Sequence, residues 1–433
     1  MSSYKRRPSP GNTEWFVNDR FGMFIHFGLY ALPARHEWIQ CRECIQPEDY
    51  KKYFDRFDPD LFDAKEWAKK AKAAGMKYAV LTTKHHEGFC LFDSKYTDYK
   101  ITNTPFGRDL VKEFVEAFRA EGLKIGFYYS LLDWHHPEFT IDRLHPMRIR
   151  PEAMELNKNR DMTKYAEYMR NQVTELLSNY GKIDILWFDF SYTKEDWKAN
   201  PNFPHGKGKN DWESEKLIAT ARALQPEIII DNRADIEQDL WTPEQFQVEE
   251  WIKHHETGEL VTWEACQTFS GSWGYYRDEH TWKSPEQLIA LLIKSVALGG
   301  NLLMNVGPTA RGCFDHRADS ALEAYAKWMK YNSRSIYGCT MAEPEFTAPN
   351  GCRLTQSEDG KRLYIHLIEY PYQTLQMPCL AGKIEYAQFL HDASEIKYHE
   401  SAALVGDSMS NTFILPTVKP DALVPVIEVF LKS

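Results

Sequence analysis

The chain has 433 residues and a formal net charge of −10, with 52 Lys and Arg against 62 Asp and Glu. This length favours one large domain with a smaller one appended, and the negative balance opposes binding to nucleic acid or to anionic lipid. Aromatic residues make up 14% of the chain, including 13 Trp and 23 Tyr, which suits a site that stacks on flat ligands or on the apolar faces of sugars.

The N-terminal residues and the cysteines bear on where the protein works. The start, MSSYKRRPSPGNTEW, is basic but is followed by no apolar run, and no segment reaches the ~18 apolar residues of a membrane span. The eight cysteines are scattered, and Cys41 and Cys44 are the only close pair, without a second pair at zinc-like spacing. We therefore predict a cytoplasmic protein with unpaired thiols and no membrane partner.

Short apolar runs alternate with helical patterns through most of the chain, which indicates parallel βα units. Six runs have the composition of buried strands: GMFIHFG, YAVLTTKHH, IGFYYSLLDW, IDILWFDF, EIIIDNR and NLLMNVGP. Most of them finish in polar or ionisable residues, at the end of the strand where a (β/α)8 barrel places its active site. We predict a (β/α)8-like (TIM) barrel over residues 1–338, with its least regular units between residues 235 and 283.

The pattern changes near Cys339, where helical periodicity fades. Alternation of apolar and polar residues, as in RLYIHLIEY and TFILPTV, takes its place. Such alternation is typical of strands with one buried face. We predict a small C-terminal antiparallel β-sandwich over residues 339–433.

Six longer motifs occur in the order in which one enzyme family carries them. They are RFGMFIHFGLYALPARHEW, YAVLTTKHHEGFCLFDSKYTDY, GFYYSLLDW, ILWFDF, WEACQTFSGSWGYYRDE and GGNLLMNVGP. Over roughly residues 15–337 the chain thereby resembles the α-L-fucosidases of glycoside hydrolase family 29, and six ordered motifs are far more specific than one short pattern. The resemblance implies a barrel with a C-terminal β-sandwich and the removal of terminal α-L-fucose with net retention. It also implies that no metal or other cofactor takes part.

Asp189 interrupts the apolar run IDILWFDF at the end of the fourth predicted strand, where its carboxylate faces the barrel mouth. By its place in the motif LWFD it resembles the nucleophile of the family. The alternative is an aspartate that caps the following turn or helix. A retaining mechanism also needs a second carboxyl group, roughly 5 Å away on the other side of the anomeric carbon.

Two glutamates are candidates for that second carboxyl group, the acid/base. Glu244, in DLWTPEQF, resembles a motif after the fifth strand from which the family takes its acid/base, and Glu264, in VTWEAC, is the alternative. A general acid needs a pKa near the working pH, and apolar neighbours raise the pKa of a carboxyl group. Trp241 and Phe246 flank Glu244, and Trp263 precedes Glu264, so composition does not decide between them. We favour Glu244.

The resemblance also implies a set of contacts to the sugar. Fucose offers three hydroxyl groups and a methyl group, so its pocket needs fixed donors and acceptors together with an apolar patch. By motif match the contacts are His26, Glu37, Trp38, His85, His86, Tyr129, Trp187, Arg233 and Trp273. We expect Arg233 to orient Asp189 and to keep it ionised, and Trp273 to pack on the methyl group.

Three positions depart from the family pattern: Phe27 replaces a Trp, Phe190 a small residue and Ala234 an aromatic one. We expect all three at the rim of the pocket, where they bear on the leaving group. The histidine pairs His85 and His86, His135 and His136, and His254 and His255 suggest metal ligands, but no carboxylate or cysteine stands at supporting spacing. We predict no metal, and the last pair is a candidate for a subunit contact.

Two other functions fit the same residues. One is a catalytically silent barrel that only binds sugar, and the other is a retaining hydrolase for a stereochemically similar galactoside. The partner we predict is a small molecule or an oligosaccharide that bears terminal α-L-fucose, acted on by a homo-oligomer.

Overall fold

Parallel strands form the centre of the larger part of the molecule in the computed structural model, which describes residues 3–193, 206–402 and 409–432. These strands are β1 (Phe21–Ile25), β2 (Tyr78–Lys84), β3 (Lys124–Ser130), β4 (Ile185–Asp189), β5 (Ile229–Ile230), β6 (Glu264–Thr268) and β7 (Asn301–Val306). Their order in the sheet is β5-β4-β3-β2-β1-β7-β6. Six of the seven coincide with the predicted apolar runs.

Residues 240–244 close this sheet into a barrel, because they lie between the edge strands β5 and β6. Asp231, just after β5, forms a parallel bridge with Leu240, and Trp241 forms one with Trp263, just before β6. These bridges add an eighth member to the ring, although it is too irregular to count as a strand. The predicted (β/α)8-like barrel is confirmed, and this segment accounts for the irregular units around residue 240.

The α-helices pack around the barrel. They are α1 (Glu14–Asp19), α2 (Ile39–Arg42), α3 (Pro47–Phe54), α4 (Ala64–Ala73), α5 (Leu110–Ala120), α6 (Ala153–Asn157), α7 (Met162–Asn179), α8 (Lys209–Trp212), α9 (Ser214–Leu224), α10 (Pro285–Ala297) and α11 (His316–Asn332). Side-chain caps accept backbone N–H groups at the starts of the longer ones, from Asp63, Asp109, Asp161, Ser284 and Asp315. Across the described part of the chain, none of the helices has the length and apolar character that crossing a membrane requires.

The side chains of each barrel strand alternate between two apolar cores. Phe24, Tyr128 and Trp187 belong to a cluster inside the barrel. Phe127 and Tyr129 belong to the larger cluster between the strands and the helices. Because successive residues of a strand point to opposite faces, only every second residue can reach a cavity inside the barrel.

The C-terminal part consists of two antiparallel sheets. Their strands are β8 (Cys339–Met341), β9 (Cys352–Ser357), β10 (Arg362–Leu367), β11 (Thr374–Pro378), β12 (Ile384–Phe389), β13 (Tyr398–Ala402), β14 (Met409–Ile414) and β15 (Val426–Leu431). The orders are β12-β15-β10-β9-β8 and β11-β14-β13. Leu363 and Ile427 of the first sheet share one core with Leu375 and Phe413 of the second. This confirms the predicted sandwich, while the division after residue 338 stays a prediction.

Candidate active site

A cavity opens at the C-terminal ends of the barrel strands. It encloses about 330 Å³, including the solvent at its mouth. The lining residues are Phe24, His26, Trp38, His85, His86, Tyr128, Trp187, Asp189, Phe190, Arg233, Glu244 and Trp273. The structure therefore brings together seven of the nine predicted sugar contacts with Asp189 and Glu244, the two carboxylates favoured from the sequence.

Asp189 is the last residue of β4, and both of its carboxylate oxygens are engaged. Oδ1 accepts a hydrogen bond from Arg233 Nη1 at 2.8 Å, and Oδ2 accepts one from the Tyr128 hydroxyl at 2.7 Å. His86 Nε2 lies 3.8 Å from Oδ2. Burial raises the pKa of Asp189, and the positive charge of Arg233 opposes that rise. The carboxylate is thus held in one orientation by donors on two sides.

Arg233 connects the two carboxylates of the cavity. Its Nη1 lies 2.8 Å from Asp189 Oδ1 and 2.8 Å from Glu244 Oε2, so these oxygens are separated by at most twice that distance. The guanidinium carbon lies 4.4 Å from the centre of the Trp187 ring, and Nε donates to the Thr242 hydroxyl at 2.8 Å. Stacking and hydrogen bonding together fix the position of this cation.

The two acid/base candidates lie in different places. Glu244 is at the end of the barrel-closing segment, with 41% of its side chain exposed at the mouth of the cavity. Glu264 begins β6 and is fully buried inside the barrel, where it accepts hydrogen bonds from the Tyr78 hydroxyl at 2.7 Å and from Trp187 Nε1 at 3.2 Å. Burial raises the pKa of Glu264 to about 7. Of the two, Glu244 is the one in the cavity lining.

Hydrogen bonds fix the tautomers of two cavity histidines. His26 Nδ1 lies 2.6 Å from Asn305 Oδ1, which is the accepting atom because the amide nitrogen of Asn305 donates to a backbone carbonyl. His86 Nδ1 lies 2.7 Å from the Ser130 hydroxyl, which itself donates to a backbone carbonyl. Both rings therefore carry the proton on Nδ1. Burial lowers the pKa of His26 to about 3 and lowers that of His86, so each ring is neutral and its Nε2 is an acceptor.

His85 lies between these two histidines in the cavity wall. Its ring is nearly parallel to that of Tyr128, at 13°, with the ring centres 5.6 Å apart. Its Nδ1 is buried and has no hydrogen-bond partner among the described residues. A buried polar atom without a partner costs about 1–3 kcal/mol.

Aromatic rings form two walls of the cavity. On one side Trp273 lies 5.1 Å from His26 and 5.9 Å from Phe24, measured between ring centres. On the other side Trp38 lies 4.7 Å from His86 and 5.1 Å from Phe190. The cavity thus combines neutral imidazole acceptors with apolar surfaces, which matches a ring with hydroxyl groups on one face and an apolar patch on the other.

Tyr129 does not reach the cavity, contrary to the prediction. It points to the helical layer, where its hydroxyl donates to Gln172 at 2.8 Å and Lys84 lies over its ring. The preceding residue, Tyr128, takes the expected place beside Asp189. The motif GFYYS offers two adjacent tyrosines, and only the inside–outside alternation of β3 distinguishes them.

Glu37 also lies behind the cavity wall. It is buried, and its Oε2 accepts backbone N–H groups from Trp273 at 3.2 Å and from Gly274 at 2.9 Å. Burial raises the pKa of Glu37 to about 7. Its contacts fix the loop that presents Trp273, so it acts on the cavity through that ring.

The three departures from the family pattern are not all at the rim. Phe190 does line the cavity, and its backbone φ of 81° is a value that residues other than glycine rarely adopt. Phe27 instead packs between the barrel and the helices, 5.4 Å from Phe57 and 5.8 Å from Trp67 between ring centres. Ala234 is fully buried in the same outer core. Of the three, only Phe190 lines the cavity.

Four contributors to the site were missed from the sequence: Phe24, Tyr128, Ser130 and Asn305. Phe24 stands two residues before the predicted contact His26, so alternation along β1 would have placed it inside the barrel, whereas nothing in GFYYS tells which of the two tyrosines faces inward. Ser130 and Asn305 are small neutral residues at strand ends. They carry no signal of their own, because their role appears only once the histidines they orient are in place.

Comparisons with known proteins agree with this chemistry. The family model described as alpha-L-fucosidase matches residues 2–334. The chain is 28% identical to an alpha-L-fucosidase of Dictyostelium discoideum over 98% of this chain and 92% of that one. Among solved structures it is similar to alpha-L-fucosidase isoenzyme 1 of Paenibacillus thiaminolyticus, with a TM-score of 0.88 and 43% identity over 97% and 99% of the two chains.

A further solved structure bears on the reaction course. It is a family 29 alpha-L-fucosidase of Bacteroides thetaiotaomicron, trapped as a covalent intermediate with 2-fluoro-fucosyl fluoride. The TM-score to this chain is 0.82, with 28% identity over 100% of this chain and 98% of that one. A covalent intermediate is the mark of a retaining mechanism.

Proposed function

Because this chain belongs to the alpha-L-fucosidase family of retaining glycoside hydrolases, we propose that Asp189 is its nucleophile and Glu244 its acid/base. The substrate class is a glycan or fucoside with a terminal α-L-fucose. Asp189 is buried between fixed donors, as a nucleophile requires, while the Glu244 side chain is 41% exposed, as suits a group that protonates a departing leaving group.

One observation carries this assignment, the shared contact of both carboxylates with Arg233 Nη1 at 2.8 Å each. The resulting limit on their separation agrees with the roughly 5–5.5 Å between carboxyl groups of retaining glycosidases. Inverting enzymes hold the two groups roughly 6.5–9.5 Å apart to admit a water molecule. The pair therefore favours attack by Asp189 itself over attack by water.

The reaction proceeds in two displacements. In the first, an oxygen of Asp189 attacks the anomeric carbon while Glu244, released from Arg233 and protonated, gives its proton to the departing glycosidic oxygen. An alcohol leaves, and a fucosyl ester of Asp189 remains. In the second, the Glu244 carboxylate takes a proton from water, whose oxygen attacks the same carbon and releases fucose and the Asp189 carboxylate.

The other lining residues bind the sugar or adjust Asp189. His26 and His86 each offer a neutral Nε2 that accepts from a sugar hydroxyl, and His85 adds an unpartnered nitrogen. Trp273 and Phe24 form the apolar side, which we assign to the fucose methyl group. The imidazoles are neutral because burial lowers their pKa, so they do not compete with Arg233 for the Asp189 carboxylate.

Glu264 has a supporting role in this scheme. Its carboxylate accepts the Trp187 indole N–H from below, and the Trp187 ring in turn carries the Arg233 guanidinium. Glu264 thereby influences Asp189 indirectly, through Trp187 and Arg233, and does not contact the leaving group.

The cellular setting remains part of the proposal. All eight cysteines lie in the described residues and are unpaired, which supports a reducing, cytoplasmic compartment. The homo-oligomeric state stays a prediction from the sequence, which light scattering on the purified protein would decide.

Intact-protein mass spectrometry with 2-fluoro-fucosyl fluoride tests the assignment. The fluorine slows the second displacement, so we expect one fluorofucosyl unit per chain, located by proteolysis on the peptide that contains Asp189. Glu244→Gln should raise the labelled fraction, because the second displacement then lacks its base. A label on another residue would refute Asp189 as nucleophile. A protein that is neither labelled nor active would favour the alternative of a barrel that binds sugar without catalysis.

A further inference from the structure

Glu237, His254 and His255 come together on the surface outside the active-site cavity. Each offers one possible ligand atom, and these atoms all lie within 4.8 Å of one another. We propose that these three residues, the histidine–glutamate cluster, form a binding site for Zn²⁺. The two histidines suggested metal ligands in the sequence, but no metal was predicted, because the carboxylate of Glu237 lies 17 residues before His254 and showed no supporting spacing.

The cluster has one fixed side and one open side. His254 is only 3% exposed, and its Nδ1 accepts the backbone N–H of Thr257 at 3.1 Å, which directs Nε2 to Glu237 Oε2 at 2.7 Å. His255 Nδ1 lies 3.5 Å from Glu237 Oε1, and the His255 side chain is 67% exposed. A buried, oriented imidazole therefore faces a carboxylate, and the exposed ring of His255 has the freedom to close on an ion between them.

The donor set selects the metal. Two imidazole nitrogens and one carboxylate are ligands that Zn²⁺ binds readily, and a zinc site with three protein ligands completes its coordination with water. Mg²⁺ and Ca²⁺ prefer oxygen donors throughout and gain little from the two histidines. The exposed side of the cluster, where Glu237 is 36% exposed, gives the ion and its water access from solvent.

One cation already contacts this carboxylate. Arg7 Nη1 lies 3.1 Å from Glu237 Oε2, and both side chains are more than one-third exposed. An exposed ion pair of this kind contributes little free energy, so it does not compete strongly with coordination of zinc. Glu259 Oε2 lies 3.9 Å from Arg7 Nε, so the guanidinium keeps a partner when zinc replaces it at Glu237.

The site brackets the barrel-closing segment. Glu237 precedes residues 240–244 and His254 follows them, and the Trp241 ring of that segment lies 6.4 Å from the His254 ring. Zinc would therefore tie together the two ends of the stretch that carries Glu244 and stabilise the folded state, because the unfolded chain does not present the assembled site. The binding itself does not depend on the role assigned to Glu244.

Isothermal titration of the chelator-treated full chain with zinc chloride tests the proposal. We expect one strongly bound ion, with binding weakened about tenfold or more in His255→Ala and in Glu237→Gln, because each loses one of three protein donors. His316→Ala is the matched control, since His316 is 86% exposed beside Asp315 and should leave the affinity unchanged. Magnesium chloride should give no comparable binding.

Cobalt absorption separates this site from the thiols. Co²⁺ bound by histidine and carboxylate gives d–d bands without a thiolate-to-cobalt charge-transfer band, whereas a cysteine site shows that band. The proposal is overturned if the wild-type chain takes up no zinc, if the zinc affinity of both variants equals that of wild type, or if thiolate bands account for all bound cobalt. Turnover of an aryl α-L-fucoside by the same preparations reports separately on the proposed function.

Discussion

The hydroxyl of Tyr128 donates a hydrogen bond of 2.7 Å to Asp189 Oδ2, and that of the next residue, Tyr129, donates to Gln172 on the opposite face of the same strand. The two tyrosines are thus chemically identical neighbours of which one touches the proposed nucleophile. They form a natural pair of test and control variants.

Tyr128→Phe should lower kcat/KM for an aryl α-L-fucoside about tenfold to a hundredfold, because a hydrogen bond to a charged group contributes about 1.5–3 kcal/mol. The Tyr128 hydroxyl favours the ionised form of Asp189, so its loss should raise the pKa of Asp189 and move the acidic limb of the pH profile upward. Tyr129→Phe should leave both measurements close to wild type. Equal effects of the two changes would contradict the placement of Tyr128.

Asp189→Gly should lower turnover by at least about three orders of magnitude, because no other group can form the glycosyl ester. Arg233 keeps Glu244 as an ionic partner, so the unfolding temperature should stay near that of wild type. Azide, which is small enough to occupy the vacated space, should restore part of the activity and yield fucosyl azide. Near-normal rates in a preparation free of wild-type enzyme would remove Asp189 from this role.

Glu244→Ala should slow alkyl α-L-fucosides about 10²–10⁴-fold and leave substrates with dinitrophenyl leaving groups much less affected, because the latter need little protonation. Glu264→Gln should slow both substrates by the same factor. It should also lower the unfolding temperature, since the Gln side chain has one acceptor for the two donors Tyr78 and Trp187. If leaving-group dependence appears in the Glu264 variant alone, the two roles must be exchanged.

Glu87→Gln should change how stability depends on pH. Glu87 is buried and accepts from Tyr50 and from the backbone of Leu29, and burial raises its pKa to about 8 from 4.5. Below pH 4.5 the group is protonated in both folded and unfolded chains. Between these values only the unfolded chain loses its proton, so the folded state loses stability as the pH rises.

Urea unfolding at pH 5, 6.5 and 8 would measure this effect. We expect the free energy of unfolding of wild type, relative to that of Glu87→Gln, to fall by at most about 1.4 kcal/mol for each pH unit in this window. A difference that stays constant, or that grows in favour of wild type, would show that Glu87 is ionised in the folded protein.

An α-L-galactoside should react about tenfold to a hundredfold more slowly than the matching α-L-fucoside. The extra hydroxyl would face the apolar wall of Trp273 and Phe24, and burying a hydroxyl without a partner costs about 1–3 kcal/mol. The measurement is the ratio of kcat/KM for a pair of aryl glycosides. Parity, or a preference for the galactoside, would place a polar partner at that wall and favour the galactosidase alternative.

The sequence predicted most of the barrel because buried parallel strands are continuous apolar runs, and Asp189 was visible as the acid that interrupts one of them. Strand β6 was not predicted, because its residues EACQT are small or polar although they are buried. The barrel-closing segment was not predicted for another reason. It is held by isolated bridges, so it needs neither the length nor the apolar pattern of a strand.

The individual contacts were less predictable than the cavity. Tyr128 and Tyr129 differ only in which face of β3 they occupy, and Glu264 and Glu244 only in which end of the barrel they approach. Both distinctions depend on the register of neighbouring strands. Local composition does not record that register, because Trp241 and Trp263 give the two glutamates the same kind of neighbour.

The uneven construction of the barrel wall has a consequence for how such an enzyme can diversify. Asp189 ends β4, which is paired in register with β3 and, at its start, with β5, so an insertion or deletion within this strand would disturb both pairings. Glu244 is carried on a stretch between residues 231 and 263 with few backbone bridges, where the chain can lengthen or shorten without loss of either neighbour. Related enzymes can therefore keep the strand that carries the nucleophile unchanged, while the segment that carries the acid/base and contacts the leaving group changes in length and sequence.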